Sequence, residues 1–217
     1  MQANTDRISS WAWIVTRRVK TFATMSAVVL LSACSGQWAT DYDAPLDPAV
    51  TRTWRVSSVE VMVPDTLTVS DENSFAPSVD IVWHGDPPGD RRAQISAIIE
   101  DAARRATEEL RGGRRVSLSV TVAQFHAVTP IAVLRAPGAV HNIIFAAQVF
   151  DAAKGTPLTQ PTMIQADLPA LVGEEAFAAA QIGQTQKVRV TDHLIAVFKG
   201  WLGIGPDVRG TFESVGR

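Results

Sequence analysis

Cysteine is almost absent: one residue, Cys34, in 217. No disulfide can form within the chain, so the fold has to rest on its apolar core. A membrane-crossing run is missing as well. The apolar stretch at residues 21–33 holds 13 residues, where a spanning helix needs about 20. A strong charge of one sign is also lacking. The formal net charge is −2, and leaving out Arg7, Arg17, Arg18 and Lys20 with Asp6 puts the rest of the chain at −5. A mildly acidic domain excludes nucleic acid as the expected partner. The basic pairs Arg91-Arg92, Arg104-Arg105 and Arg114-Arg115 stand among or close to acids and read as solvated surface.

Motifs of common chemistry are missing too. Gly112-Gly113 lacks the Lys and Ser/Thr of a phosphate loop. No Gly-x-Ser-x-Gly elbow, Cys-x-x-Cys or His-Glu-x-x-His occurs. No cofactor is implied, and no catalytic motif supports an enzyme.

What is present begins with order at the N-terminus. Arg17-Arg18-Val19-Lys20 is a basic start, residues 21–33 are an apolar body, and Leu31-Ser32-Ala33-Cys34 closes it. The length and flanks are those of a signal-peptide hydrophobic region. The closing tetrapeptide resembles the bacterial lipobox: a leucine, two small residues, then the cysteine whose thiolate takes a diacylglyceryl group. That resemblance implies cleavage before Cys34, with Leu31, Ser32 and Ala33 as the peptidase recognition residues. It also implies acyl chains on Cys34, and more than one chain gives stable anchoring. Ser35 in place of aspartate implies the outer membrane, facing the periplasm, under the enterobacterial sorting pattern. The partners expected are the membrane, through this lipid, and an envelope protein of unknown identity.

Residues 34–53 hold Gly36, Pro45, Pro48 and several acids with little periodicity. They read as a flexible tether, roughly 20 residues reaching on the order of 25 Å. Trp38 and Tyr42 suit a lipid–water interface. Residues 54–202 read as a single α+β domain, and residues 203–217 as a loose tail.

Within the domain, Trp54, Val56, Val59, Val61 and Val63 mark a strand with a slip at Ser57-Ser58, ended by Pro64. Residues 79–83 form a short second strand. Asp86-Pro87-Pro88-Gly89-Asp90 precedes a helix over 91–111, whose Ile95, Ile98, Ile99, Ala102, Ala106 and Leu110 share a face. Gly112-Gly113 closes it. Residues 115–128 alternate, with Phe125 out of phase, so a bulge is expected near Ala123-Gln124. Residues 140–150 form the next strand. Residues 157–168 follow as an edge strand, because Pro161 interrupts them. Residues 174–202 are helical with a break at Gly183. The stripe through Val188, Thr191, Leu194, Ile195, Phe198, Trp201 and Leu202 reads as core, or else as a partner groove. The polar run Gly183-Gln184-Thr185-Gln186-Lys187 is a capped helix break or a recognition loop. The order β-β-α-β-β-β-α implies an antiparallel sheet of about four to five strands with two main helices on one face.

The one constellation with chemical potential is His126 and His141. A hairpin centred between Val133 and Leu134 places them opposite each other, with Cβ atoms about 5 Å apart. Zinc or copper would then need a third ligand such as Asp167 or His193. Otherwise both histidines bond loop backbone at the end of the sheet.

Three strings, VTVAQFHAVT (120–129), GAVHNII (138–144) and GQTQKVRVTDHL (183–194), resemble an uncharacterised family of alphaproteobacterial lipoproteins. A looser similarity is to auxiliary lipoproteins of envelope transport systems, which share the lipobox, the tether and a strand-rich α+β domain. These resemblances imply a non-enzymatic binding, scaffolding or accessory component of the envelope. The alternative is a metal-binding protein or hydrolase using His126 and His141.

Overall fold

The strand at Arg114–His126 (β5) is the axis of the domain, and its alternation explains why. Val116, Leu118, Val120 and Val122 are buried while Ser117, Ser119 and Thr121 face the other way. The computed structural model describes residues 37–214. The signal segment 1–33 and the lipidation motif Leu31, Ser32, Ala33 and Cys34 lie outside the described residues.

Before β5 come β1 (Gln37–Asp41), α1 (Pro48–Thr51), β2 (Trp54–Met62), β3 (Val69–Ser70), β4 (Ile81–Val82) and α2 (Arg91–Thr107). After it come α3 (Pro130–Arg135), β6 (Ala139–Asp151), β7 (Thr162–Ala166) and β8 (Leu168–Ala170). The chain then adds α4 (Gly173–Gln181), α5 (Gln186–Trp201) and β9 (Gly210–Glu213). The strands run in the order β3-β4-β5-β6-β7-β1-β9, with β2 also on β5 and β8 also on β6.

The sheet is larger than the four to five antiparallel strands expected, and it is mixed. Nine strands take part among the described residues. β2 and β4 both lie parallel to β5, β2 along Arg114–Thr121 and β4 at Phe125–His126. The direction follows from the connection: α2 intervenes before β5, and a helical crossover returns the chain in its original sense. β5 and β6 form the long antiparallel pair. Both sequence slips are bulges, between Val56 and Ser58 in β2 and between Val122 and Gln124 in β5.

α2 begins at Asp90, whose side chain accepts from the Ala93 amide at 3.1 Å. It buries Ile95, Ile98, Ile99, Ala102 and Ala106. The helix ends at Thr107, earlier than expected, and Gly112-Gly113 does not cap it. Gly112 instead lets two backbones meet, since a Cβ there would overlap the Thr53 carbonyl. Its amide donates to Trp54 O at 2.8 Å.

α5 starts at Thr185, whose hydroxyl accepts from the Val188 amide. The break at Gly183 is present, with φ at 82°. Thr191, Leu194, Phe198 and Trp201 are core, so the stripe packs inward and is no partner groove. Phe198 meets Phe145 of β6 with ring centres 5.2 Å apart.

Expectations for both flanks and for one strand need correction. Residues 34–53 are not a tether throughout: β1 lies between β7 and β9, and Tyr42 is buried in the core rather than at a lipid interface. Pro48 starts α1, the helical position proline tolerates best. The tail 203–217 contains β9, paired with β1 along Gln37–Thr40. The run 157–168 is not an edge strand. Pro161 precedes β7, which is held between β6 and β1.

Candidate functional site

The bulge in β5 decides the fate of the histidine pair. Before it, Val122 faces Phe145, a register that would bring His126 opposite His141. The extra residue, Ala123, shifts every later pairing by one, and His126 faces Asn142 instead. Successive side chains of a strand point to opposite faces. His141 therefore points away from His126. The Nε2 of His126 lies 2.8 Å from Pro77 O, and His141 pairs with Leu168 of β8.

The suggested third ligands have other work. Asp167 is buried, and its carboxyl oxygens accept from Asn142 Nδ2 at 2.6 Å, Gln165 Nε2 at 2.6 Å, Ile143 N at 3.3 Å and Ala39 N at 3.3 Å. Thr40 Oγ1 donates to the Asp167 carbonyl at 3.1 Å and lies 3.3 Å from His193 Nε2. This network joins β1, β6, β7 and α5. Among the described residues no group of three or more His, Cys, Asp or Glu side chains is placed to hold a metal ion.

His141 belongs to a different site. It lines a cleft of about 200 Å³ between α3, α4 and the first turn of α5. The walls are apolar: Val128, Val133, Leu171, Ala176, Phe177 and Ala180. The polar lining is His141, Gln184, Thr185, Gln186 and Arg189. Gln186 Nε2 donates to Val128 O at 3.2 Å, and Arg189 Nη2 donates to Pro169 O at 3.0 Å. His141 Nδ1 is buried with no hydrogen-bond partner. The polar run flagged in the sequence thus both breaks the helix and borders the cleft.

α4 covers this cleft loosely. It carries Ala176, Phe177, Ala178, Ala179 and Ala180, yet none of its residues is buried. Phe177 is 53% exposed, and the following Ile182 is 78% exposed. Glycines in the left-handed region flank it: Gly173 with φ at 57° and Gly183 with φ at 82°. Glycine adopts this conformation without steric cost. Sequence reading missed Arg189 and Phe177. The signal it could have used is an alanine-rich helix with too little polar surface for solvent on all sides.

Burial, with the nearby charges of Arg189 and His193, pushes the His141 imidazole down to about 3. The group is neutral in the folded protein at neutral and mildly acidic pH. In the unfolded chain a histidine titrates near 6.5. Between those values the unfolded state takes up a proton that the folded state refuses, so stability falls as pH drops below 6.5. The slope from this one group approaches about 1.4 kcal/mol per pH unit. Urea unfolding at pH 6.5 and pH 4.5 should therefore show a smaller loss for His141→Leu than for the unchanged protein. Equal losses would refute a neutral buried His141.

The fold and this cleft define a mixed-sheet α/β domain with a loosely lidded apolar site. Residues 54–217 match the model of a family of unknown function, DUF6778, and the chain belongs to that family. No curated protein matches it significantly. Among solved structures it is similar to a protein from Caulobacter crescentus assigned as a lipoprotein, at 12% identity and a TM-score of 0.32, over 72% of this chain and 95% of that one. A Xanthomonas campestris protein of family DUF330 matches at 14% identity and a TM-score of 0.40, over 70% of this chain and 88% of that one. The PelC dodecamer subunit from Paraburkholderia phytofirmans matches at 11% and 0.32, over 73% and 96%. All three TM-scores are below 0.5, too low to establish a common fold.

Proposed function

We propose that this is a lipid-anchored protein of the bacterial cell envelope that works by binding, as an accessory or scaffolding component of a transport or assembly system. The observation that carries the binding half is the cleft under α4. Its apolar walls and nitrogen-bearing side chains suit a ligand, and its lining contains no serine, cysteine or carboxylate placed to attack one. The anchoring half rests on sequence: a basic start, a 13-residue apolar body and Leu31-Ser32-Ala33-Cys34 in that order. Ser35 supports the outer membrane, with the domain in the periplasm.

Cys34→Ser should abolish palmitate labelling and move the protein out of the membrane fraction or stall it as precursor. Labelling that persists would overturn the anchor. For the binding half, a photocrosslinking residue at position 177 in the native lipidated protein should give a discrete adduct. The same probe on the exposed Met62 of β2 should not.

A further inference from the structure

The cleft has a defined electrostatic character. The Arg189 guanidinium is half-buried, and desolvation lowers its pKa. Its hydrogen bond goes to the Pro169 carbonyl, and no acid pairs with it among the described residues. A partly desolvated guanidinium without a counter-charge favours a carboxylate, which it can grip through two parallel N–H bonds. The first turn of α5, which carries Arg189, adds a weak preference for negative charge. His141 Nδ1 is buried in the same cleft without a partner, a standing cost that a carboxylate oxygen within reach would relieve by accepting from its N–H.

Size narrows the choice. A dry apolar cavity of roughly 150 Å³ takes a benzene molecule. The 200 Å³ here admits one short chain or one ring, and it is too small for a diacyl lipid. The lid agrees with this. α4 presents Ala176, Phe177 and Ala180 to the cleft while burying none of them. A Cβ at Gly173 or Gly183 would meet nothing within 4 Å, so no neighbouring side chain or backbone packs against that side of either glycine.

We infer that the cleft binds a small monoanionic amphiphile, a carboxylate on a chain or ring of roughly eight carbons, with its acid group at Arg189 and its apolar part under α4. This rests on the reading of the cleft as the binding site. Arg189 sets the charge preference, and Phe177 closes over the apolar end.

The test is calorimetric titration of the native lipidated protein in neutral phosphatidylcholine nanodiscs, with empty nanodiscs subtracted. Octanoate should bind saturably at one site. Octanol should bind about tenfold more weakly or worse, which is the worth of one charge-assisted contact, and octylammonium should not bind. Arg189→Gln should bring octanoate down to the level of octanol, and Arg189→Lys should restore part of the difference. Phe177→Ala should weaken octanoate and octanol by the same factor. A melting curve of each variant separates a lost site from a lost fold. Equal binding of octanoate and octanol, or octanoate binding unchanged in Arg189→Gln, would overturn the inference. So would recruitment to phosphatidylglycerol nanodiscs that octanoate does not compete with, which would make the cleft rim a lipid-surface contact. Absence of octanoate binding together with a persistent crosslink from position 177 would remove this ligand class and leave the binding role standing.

Discussion

A chain shortened to begin at Trp54 will not accumulate as folded protein. The cut removes β1, and β1 sits inside the sheet. Its Thr40 and Asp41 pair with Ala166 and Gln165 of β7, while residues 37–40 pair with β9 on the other side. Without it, β7 exposes an unpaired apolar edge and β9 has no neighbour, a recipe for association between chains. The cut also takes Tyr42 and Thr51 from buried positions, and the Leu46 amide from its 2.8 Å bond to Trp201 O. Each large buried side chain contributes about 1.5–3 kcal/mol. With the lost backbone bonds the total is on the order of 5 kcal/mol or more, against a whole-domain stability of about 5–15 kcal/mol. Soluble yield and thermal melting of chains starting at Gln37 and at Trp54 would show it. The first should melt cooperatively and the second should be aggregated or molten. A cooperative melt of the shorter chain within a few degrees of the longer one would mean that residues 37–53 are the tether the composition suggests.

Asp167→Ala is the second change with a large expected effect. One side chain satisfies four N–H groups: those of Asn142 and Gln165 and the amides of Ala39 and Ile143. Asp167 is 1% exposed, so these donors are shielded from bulk water. Leaving buried donors unpaired costs about 1–3 kcal/mol for each strong one, so losing the acceptor of the two 2.6 Å bonds and the two longer ones costs about 3–5 kcal/mol. For a domain of this size that lowers the melting temperature by about 10 °C or more. Thr40→Val removes one donor to the Asp167 carbonyl and should cost about 1 kcal/mol. A melting temperature for Asp167→Ala within about 2 °C of the unchanged protein would show that the network is not the clasp on β1.

Both predictions concern places where sequence pattern is silent. The long elements are legible because their signal is local. β2, α2, β5, β6 and α5 each repeat an apolar residue at the period of their own structure over nine or more residues. The start of α2 at Asp90, the helix break with its cap at Gln184 or Thr185, and the bulges beside Ser57 and Ala123 can be read for the same reason, since each is set by neighbours in the chain; the C-terminal cap expected at Gly112-Gly113 is not formed.

β1 and β9 have no such repeat. They span five and four residues, and their partners lie far away in sequence: Ala39 meets the Asp167 side chain 128 positions on. Strand direction was hidden as well, because nothing in β2 or β4 itself reveals that both align parallel with β5. The histidine pair shows how a legible detail can still mislead. The bulge near Ala123 is visible in the sequence, but its consequence is a shift of one residue in the partner strand, and that shift turns His141 away from His126. Arg189 and Phe177, 48 and 36 positions from His141, share a cleft with it only after α4 folds over the end of the sheet.

The sequence alone thus determined the local periodic elements, the places where α2 and α5 begin, the two bulges, and the expectation of a lipid anchor at the only cysteine. Tertiary structure alone decided the mixed sheet, the pairing of β1 between β7 and β9, the separation of the histidines and the cleft beneath α4. The physical reason is range: periodicity and capping act within a few residues of the chain, whereas strand pairing, register and the walls of a cavity are set by contacts between segments that the sequence keeps far apart.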